Sequence, residues 1–490
     1  MNFKIKKISL HALLLLGIIL LAIFFRFYNT PNRYGFDYDP TRDALIVDYS
    51  AKTLQFPLIG PPSGIGPFNF GPWYYYQLIL FKIFFPVDYS PWIYIGIVST
   101  ISVIVMYKIG LLLGGRTLGL ILAALAALSP AETGQIRALS NPTLIPLYAT
   151  LTIWIFLKFI KEKPPLWMAL LWGLVLGIGI NNHYQMLGLL PLPIIFFIFK
   201  KDRRWIKIIT FFIGIFISFV PLLVFNIINE WSMVKGIIFY ITQGANSFYV
   251  PNRWLYYIRD FWPMFWSYVL GMPLKLGIFL GIYVELTILY LFLKRKISAA
   301  YIFLIITFGI NFLAFRIFSG QREYYYLLYL HPFIFILFGL VIAYTFRLKL
   351  FKYIGFIFLL IVLTGMTLQS IDRLRTQEDQ MQFKKEARII MNNNPNEKFV
   401  LYECSNSQRN RVRGVTFFLN NSEKISENGI KIAYSNKKCP LPPNINFQDK
   451  HLHDINVINI SHISDKLLFE YGWRPVTPKT VYIQISQGRL

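Results

Sequence analysis

Apolar runs of membrane-crossing length recur along the chain up to about residue 370, with short polar stretches between them. They fall near residues 8–27, 91–113, 117–132, 142–160, 165–181, 184–199, 206–228, 271–293, 298–317, 325–346 and 350–369. A hydrocarbon core of about 30 Å needs roughly 20 apolar residues in a helix. The pattern therefore predicts a polytopic α-helical membrane protein of about 11 transmembrane helices. The runs are continuous and do not alternate, which excludes a β-barrel. A shorter aromatic-rich piece, Trp73 to Phe85, suits a helix lying in the membrane interface.

Composition agrees, with 55% hydrophobic and 15% charged residues among 490. The net charge of +25 first suggests nucleic acid. Its distribution does not, because basic residues collect between apolar runs: Lys158, Lys161 and Lys163; Lys200, Lys201, Arg203 and Arg204; Lys294, Arg295 and Lys296; Arg347, Lys349 and Lys352. Threaded from a cytoplasmic N-terminus marked by Lys4, Lys6 and Lys7, the runs place every one of these clusters on the cytoplasmic side. They read as topology signals and lipid-headgroup anchors, so the bilayer is a partner and nucleic acid is not. Arg26-Phe27-Tyr28 follow the first run without a small-residue cleavage site, and that run is expected to be kept as a signal anchor. The expected location is the plasma (inner) membrane, multi-pass.

The same threading puts residues 28–90, Ala131 to Asn141, the Asn181-Asn182-His183 turn, Asn229 to Met272, Ser319 to Glu323 and the tail outside. From Gln369 onward apolar runs vanish and Asn, Ser and Lys become common. Short β-prone pieces appear at Phe399–Tyr402, Val415–Leu419 and Val481–Ile485. The chain thus divides into a membrane domain, 1–369, and a small extracytoplasmic α/β or β-rich domain, 370–490. Cys404 and Cys439, the only cysteines, both lie in the second domain. A disulfide between them suits that compartment.

The candidate chemistry sits in the first outer loop, 28–90, which opens on Phe36-Asp37-Tyr38-Asp39-Pro40-Thr41-Arg42-Asp43-Ala44. A carboxylate here can take a proton from an acceptor hydroxyl. Arginines offer planar forks for phosphate oxygens, and Arg42, Arg137 and Arg322 all fall on the outer face. Plainer readings stand beside these. Asp before Pro starts turns, interfacial arginines snorkel, and the Trp and Tyr residues of 231–268 suit a membrane-interface belt. Asp37 and Asp39 also form the Asp-x-Asp pattern of metal-dependent transferases, whose carboxylates suit hard cations.

Asp39-Pro40-Thr41-Arg42, Gly71-Pro72-Trp73-Tyr74-Tyr75-Tyr76, Arg137-Ala138-Leu139-Ser140-Asn141-Pro142, His183-Tyr184-Gln185 and Arg322-Glu323-Tyr324-Tyr325-Tyr326 occur in an informative order. Over residues 1–370 they resemble the GT-C superfamily of glycosyltransferases, in particular the protein O-mannosyltransferase and lipid A aminoarabinose transferase group. The resemblance implies an inverting hexosyl- or pentosyltransferase of the cell envelope. It would move one sugar from a polyprenyl-phosphate donor to a glycan, lipid or protein acceptor. It further implies Asp39 as general base, Asp37 and Asp43 as supporting or alternative acids, and Arg42, Arg137 and Arg322 as donor-phosphate ligands. His183, Tyr74, Tyr324 and Tyr325 become substrate-binding residues, and no metal is required, with a divalent ion at Asp37 and Asp39 as the alternative. One departure stands out: where relatives carry a Lys-Pro-Pro segment that meets the lipid phosphate, this chain reads Phe70-Gly71-Pro72.

Two rival functions fit parts of the pattern. A transferase using a diphosphate-linked oligosaccharide predicts metal dependence. A transporter or flippase predicts polar residues near the bilayer midplane and inverted repeats, whereas here polar groups gather at one face.

Overall fold

The structure, a computed structural model, describes residues 9–36, 38–199, 204–244, 253–318, 323–349, 351–375, 378–404, 406–434 and 457–488. Its first half comprises α1 (Leu10–Phe27), α2 (Tyr38–Thr53), α3 (Trp73–Phe84), α4 (Ser90–Gly114), α5 (Arg116–Leu128), α6 (Pro130–Gln135), α7 (Ile145–Lys161), α8 (Trp167–Asn182), α9 (Pro191–Phe199) and α10 (Arg204–Ile228). Then come α11 (Ser232–Phe239), α12 (Trp254–Tyr256), α13 (Trp262–Leu270), α14 (Leu274–Leu293), α15 (Ala299–Ile317), α16 (His331–Thr345) and α17 (Lys352–Asp372). Each of the eleven apolar runs coincides with one of these helices. Among the described residues eight are long and apolar enough to cross a membrane, and three further apolar helices are shorter. The segment Trp73 to Phe85 is a helix too, α3, below that length.

Burial sorts the bundle. The span ending in α16 is enclosed on nearly all sides, and those of α4 and α7 come next. The α1, α10, α14 and α17 spans turn most of their surface outward, where lipid solvates them. Backbones approach closely where side chains are smallest, because lipid gives helices no hydrophobic reason to associate and contact must do it. Gly110 of α4 lies on Gly119 of α5, and Gly173 of α8 meets Gly214 of α10, with no room for a Cβ at any of the four. The carbonyls ending α5 find a donor in buried Arg26, whose guanidinium reaches Ala126 O and Ala127 O, each at 3.0 Å.

The polar segments converge at one end of this bundle. Phe70 stacks on His183, Phe68 meets Tyr240, and α6 packs on α17. The tail joins the same end. It holds α18 (Glu378–Asn393), α19 (Asn406–Asn421), α20 (Asp465–Glu470) and α21 (Pro478–Ser486) around a four-stranded sheet. Strands β1 (Phe399–Glu403), β2 (Ile430–Tyr434), β3 (Val457–Asn459) and β4 (Arg474–Val476) lie in the order β3-β2-β1-β4. The β1–β2 pair is parallel and the outer pairs antiparallel, so the tail is a small α/β unit.

Two of the expected strands are helices. Val415–Leu419 lies in α19, where buried Val412, Val415, Thr416 and Leu419 follow the i, i+3, i+4, i+7 spacing of one helical face. Val481–Ile485 lies in α21, which opens with Pro478 after a Thr477 capping box and buries Val481 and Ile485. Cys404 is disulfide-bonded, while Cys439 lies outside the described residues.

Candidate active site

Helix α2 begins at the charged knot. Pro40 sits in its first turn, where no backbone donor is needed, and Asp39 there faces the positive end of the helix dipole. Arg42 follows one turn later, and its Nη1 donates to Asp39 Oδ1 at 2.7 Å. Its Nε donates to Asp43 Oδ1, also at 2.7 Å, and Tyr75 Oη of α3 donates to the same oxygen at 2.8 Å. Exposure separates the two acids: the Asp39 side chain is 50% exposed and that of Asp43 is sealed. Burial works against the Arg42 charge, but Asp43 and Asp39 outweigh it and hold the guanidinium well above its usual range. Asp39 is thus an accessible carboxylate on a rigid, buried bracket.

Three more of the expected site residues are buried. The Arg42 side chain is 2% exposed and spans two carboxylates. Tyr74 is fully buried beside Asp43 and reaches no open surface. His183 is also packed away: its ring stacks on Phe70 at 4.6 Å, lies near Tyr326, and accepts from Gln185 N through Nδ1 at 3.3 Å. Burial pushes its imidazole down to about 3, so it is neutral at physiological pH and pins the loop before α3 to the end of α8. Asp43 contacts Arg42 and Tyr75 and no open surface.

A second charged group lies beside the first. Gly35 N donates to Arg137 O at 2.8 Å, which ties the Arg137 turn to the segment leading into α2. Arg33 is buried, donates to Tyr28 O at 2.6 Å, and through Nη2 to Arg373 O at 3.1 Å. Burial and then Arg137 bring Arg33 down to about 10, and burial and then Arg373 lower Arg137. Arg137 therefore lies within electrostatic reach of both Arg33 and Arg373. Arg137 is partly exposed and Arg373 exposed, and among the described residues neither is paired with a carboxylate. Two described acids lie close by: Glu132 of α6 is buried and bound to His331 Nδ1 at 2.6 Å, and Asp372, beside Arg373, pairs with Arg375 at 3.1 Å. Tyr268 feels both Glu132 and Arg373, and Tyr324 stacks on it at 5.6 Å. Tyr325 is exposed and bonds Tyr326 Oη at 3.0 Å.

Arg33 and Arg373 were not among the sequence candidates. No motif flags them, since residues 33, 137 and 373 meet only in the folded chain. Asp37 and Arg322 lie outside the described residues. A divalent cation at Asp39 would compete with the Arg42 guanidinium already on its Oδ1, and the other described carboxylate of the knot, Asp43, is sealed. The described donors do not make a metal site. A cavity of about 350 Å³ between α13, α14, α15 and α16 holds none of these residues. Its walls are apolar except for Glu285, a carboxyl midway along α14 and away from the end where the other polar segments gather.

Comparison with known proteins extends the picture. The family model for dolichyl-phosphate-mannose-protein mannosyltransferase matches residues 72–228. No curated protein matches. Among solved structures, ArnT from Cupriavidus metallidurans in the apo state is similar with a TM-score of 0.60 at 10% identity, over 83% of this chain and 84% of that one. The same protein bound to undecaprenyl phosphate gives 0.57 at 10% identity, over 86% and 92%. The apo oligosaccharyltransferase of Archaeoglobus fulgidus gives 0.52 at 14% identity over 81% of this chain, which spans only 59% of that enzyme's length. The chain thus has a membrane fold similar to that of ArnT, and its residues 72–228 match the model of the dolichyl-phosphate-mannose-protein mannosyltransferase family.

Proposed function

We propose that the protein transfers a single sugar from a polyprenyl-phosphate donor to a hydroxyl of a glycan, lipid or protein acceptor outside the cytoplasm. The observation that carries this reading is the pairing of an accessible, bracketed carboxylate with a neighbouring cluster of uncompensated guanidiniums. Asp39 takes the proton from the acceptor hydroxyl as its oxygen attacks the anomeric carbon. The bond from that carbon to the phosphate oxygen breaks, and the polyprenyl phosphate leaves with increased charge. Arg137 and Arg373 meet this charge, in a field strengthened by Arg33. Direct displacement inverts the anomeric centre. ArnT, a neighbour in fold, has been solved with undecaprenyl phosphate, a lipid of the class proposed.

The test is to incubate purified protein with radiolabelled polyprenyl-phosphate monosaccharides and acceptor lipids, glycans or peptides, and to determine the product's anomeric configuration. Transfer with inversion, insensitive to EDTA, is expected. Transfer only from diphosphate-linked oligosaccharides, abolished by EDTA, would support the oligosaccharyltransferase-like alternative suggested by the Archaeoglobus fold match.

A further inference from the structure

The tail grips the helix that carries Asp39. Asn420 of α19 donates through Nδ2 to Asp48 Oδ2 of α2 at 2.5 Å. Asp48 is buried and also meets Lys52 Nζ at 2.9 Å and Lys82 Nζ at 3.4 Å. Burial opposes its charge, but Lys82, Lys52 and Asn420 together hold the carboxyl below its usual range. One residue along, the Tyr49 ring lies 4.9 Å from Tyr482 of α21. Upstream of Asp39, buried Phe36 packs on Phe417 at 5.2 Å, Phe418 at 5.1 Å and Phe383 at 6.2 Å, all from the tail.

The two carboxylates Asp39 and Asp48 are nine residues apart. That is about two and a half helical turns, so they face opposite sides of α2. The tail holds the back of the helix and its entry, and the face of Asp39 stays open. A domain placed only to recruit an acceptor has no need of a buried, charge-assisted hydrogen bond behind the catalytic helix.

We propose that the C-terminal domain is a working part of the catalytic unit, and that Asn420, through Asp48, is a positioning residue that sets the placement of Asp39. The proposal rests on the transferase reading for its kinetic consequence but not for its structural one. A misplacement of about 1 Å costs up to about a hundredfold in rate, and a hydrogen bond to a charged group is worth at least about tenfold.

The experiment compares wild type with Asn420→Ala and with the isosteric Asn420→Asp, in detergent or nanodiscs. Amide hydrogen exchange across residues 38–48 and 399–403 is followed together with donor kinetics. Both variants are expected to exchange at least about tenfold faster in 38–48, with 399–403 unchanged. Their kcat should fall about tenfold or more, with the KM for donor within about twofold. Adding Asp48→Asn to Asn420→Asp re-creates a donor–acceptor pair and should recover most of kcat. If Asn420→Ala also loses protection in 399–403, the Asn420→Asp variant and its double exchange decide the matter. Exchange in 38–48 that stays at the wild-type level overturns the proposal, as does a wild-type kcat alongside loosened α2. A wild-type protein that transfers no sugar overturns the transferase reading, while the exchange result still decides whether the tail holds α2.

Discussion

The two charged groups beside α2 are built on opposite principles. In the first, Arg42 lies between Asp39 and Asp43, every charge has a partner within 2.7 Å, and the centre is buried. In the second, Arg137 lies within electrostatic reach of Arg33 and Arg373, and two described acids close by are engaged elsewhere, Glu132 with His331 and Asp372 with Arg375. The first group is held in place by its ion pairs; on the proposed reading the second is the one that receives an anion. The proposed anion is the phosphate of a lipid-held sugar donor.

Substitutions can break this contrast. The largest effect should come from Asp39→Asn, which leaves the Arg42 bracket nearly isosteric but removes the base. Transfer should drop by about a thousandfold or more, in the range of general-base catalysis, with unchanged yield and melting temperature. Arg137→Ala should lower kcat/KM for the donor by about a hundredfold without loss of stability. Arg373→Ala should follow in the same direction with a smaller effect. Lysine at position 137 should recover only part, because a point charge cannot replace the planar fork.

Arg42→Met should behave in the opposite way to Arg137→Ala. It strands a buried Asp43 carboxylate, and breaking such a pair destabilises by about 3–5 kcal/mol, which thermal or denaturant unfolding would read. If Arg42→Met leaves stability intact and selectively weakens donor binding, the division of labour between the two groups is wrong.

The smallest effect concerns pH. His183 has its folded value depressed to about 3, against about 6.5 in an unfolded chain. As pH falls below about 6.5, the unfolded state binds a proton that the folded state refuses. The stability His183 contributes is full above that pH and is lost progressively on the way down to about 3. Melting temperatures of wild type and His183→Phe should diverge over this window, with the variant losing less.

The membrane part was legible in the sequence because hydrophobic run length is a strong, local signal. Every run from 8–27 to 350–369 coincides with a helix. In the tail, β-prone residues at 415–419 and 481–485 suggested strands, yet the buried positions recur with helical spacing. Propensity over five residues yields to the face that packing selects. The charged knot stood out in the sequence as a candidate site, since acids and an arginine are rare at a membrane surface. The contrast in exposure within it was not, because burial separates Asp39 from Asp43 and encloses Arg42 only in the folded chain. Arg33 and Arg373, 340 positions apart, share no motif; the hydrogen bond that joins them exists only after folding.

The most direct test places two variants side by side: binding of polyprenyl phosphate to purified Asp39→Asn and Arg137→Ala proteins, read by native mass spectrometry or titration calorimetry. Wild-type affinity in the first and strongly weakened affinity in the second is the predicted outcome. Equal binding by both, or binding lost with Asp39→Asn alone, would contradict the assignment of the base to one charged group and the phosphate to the other.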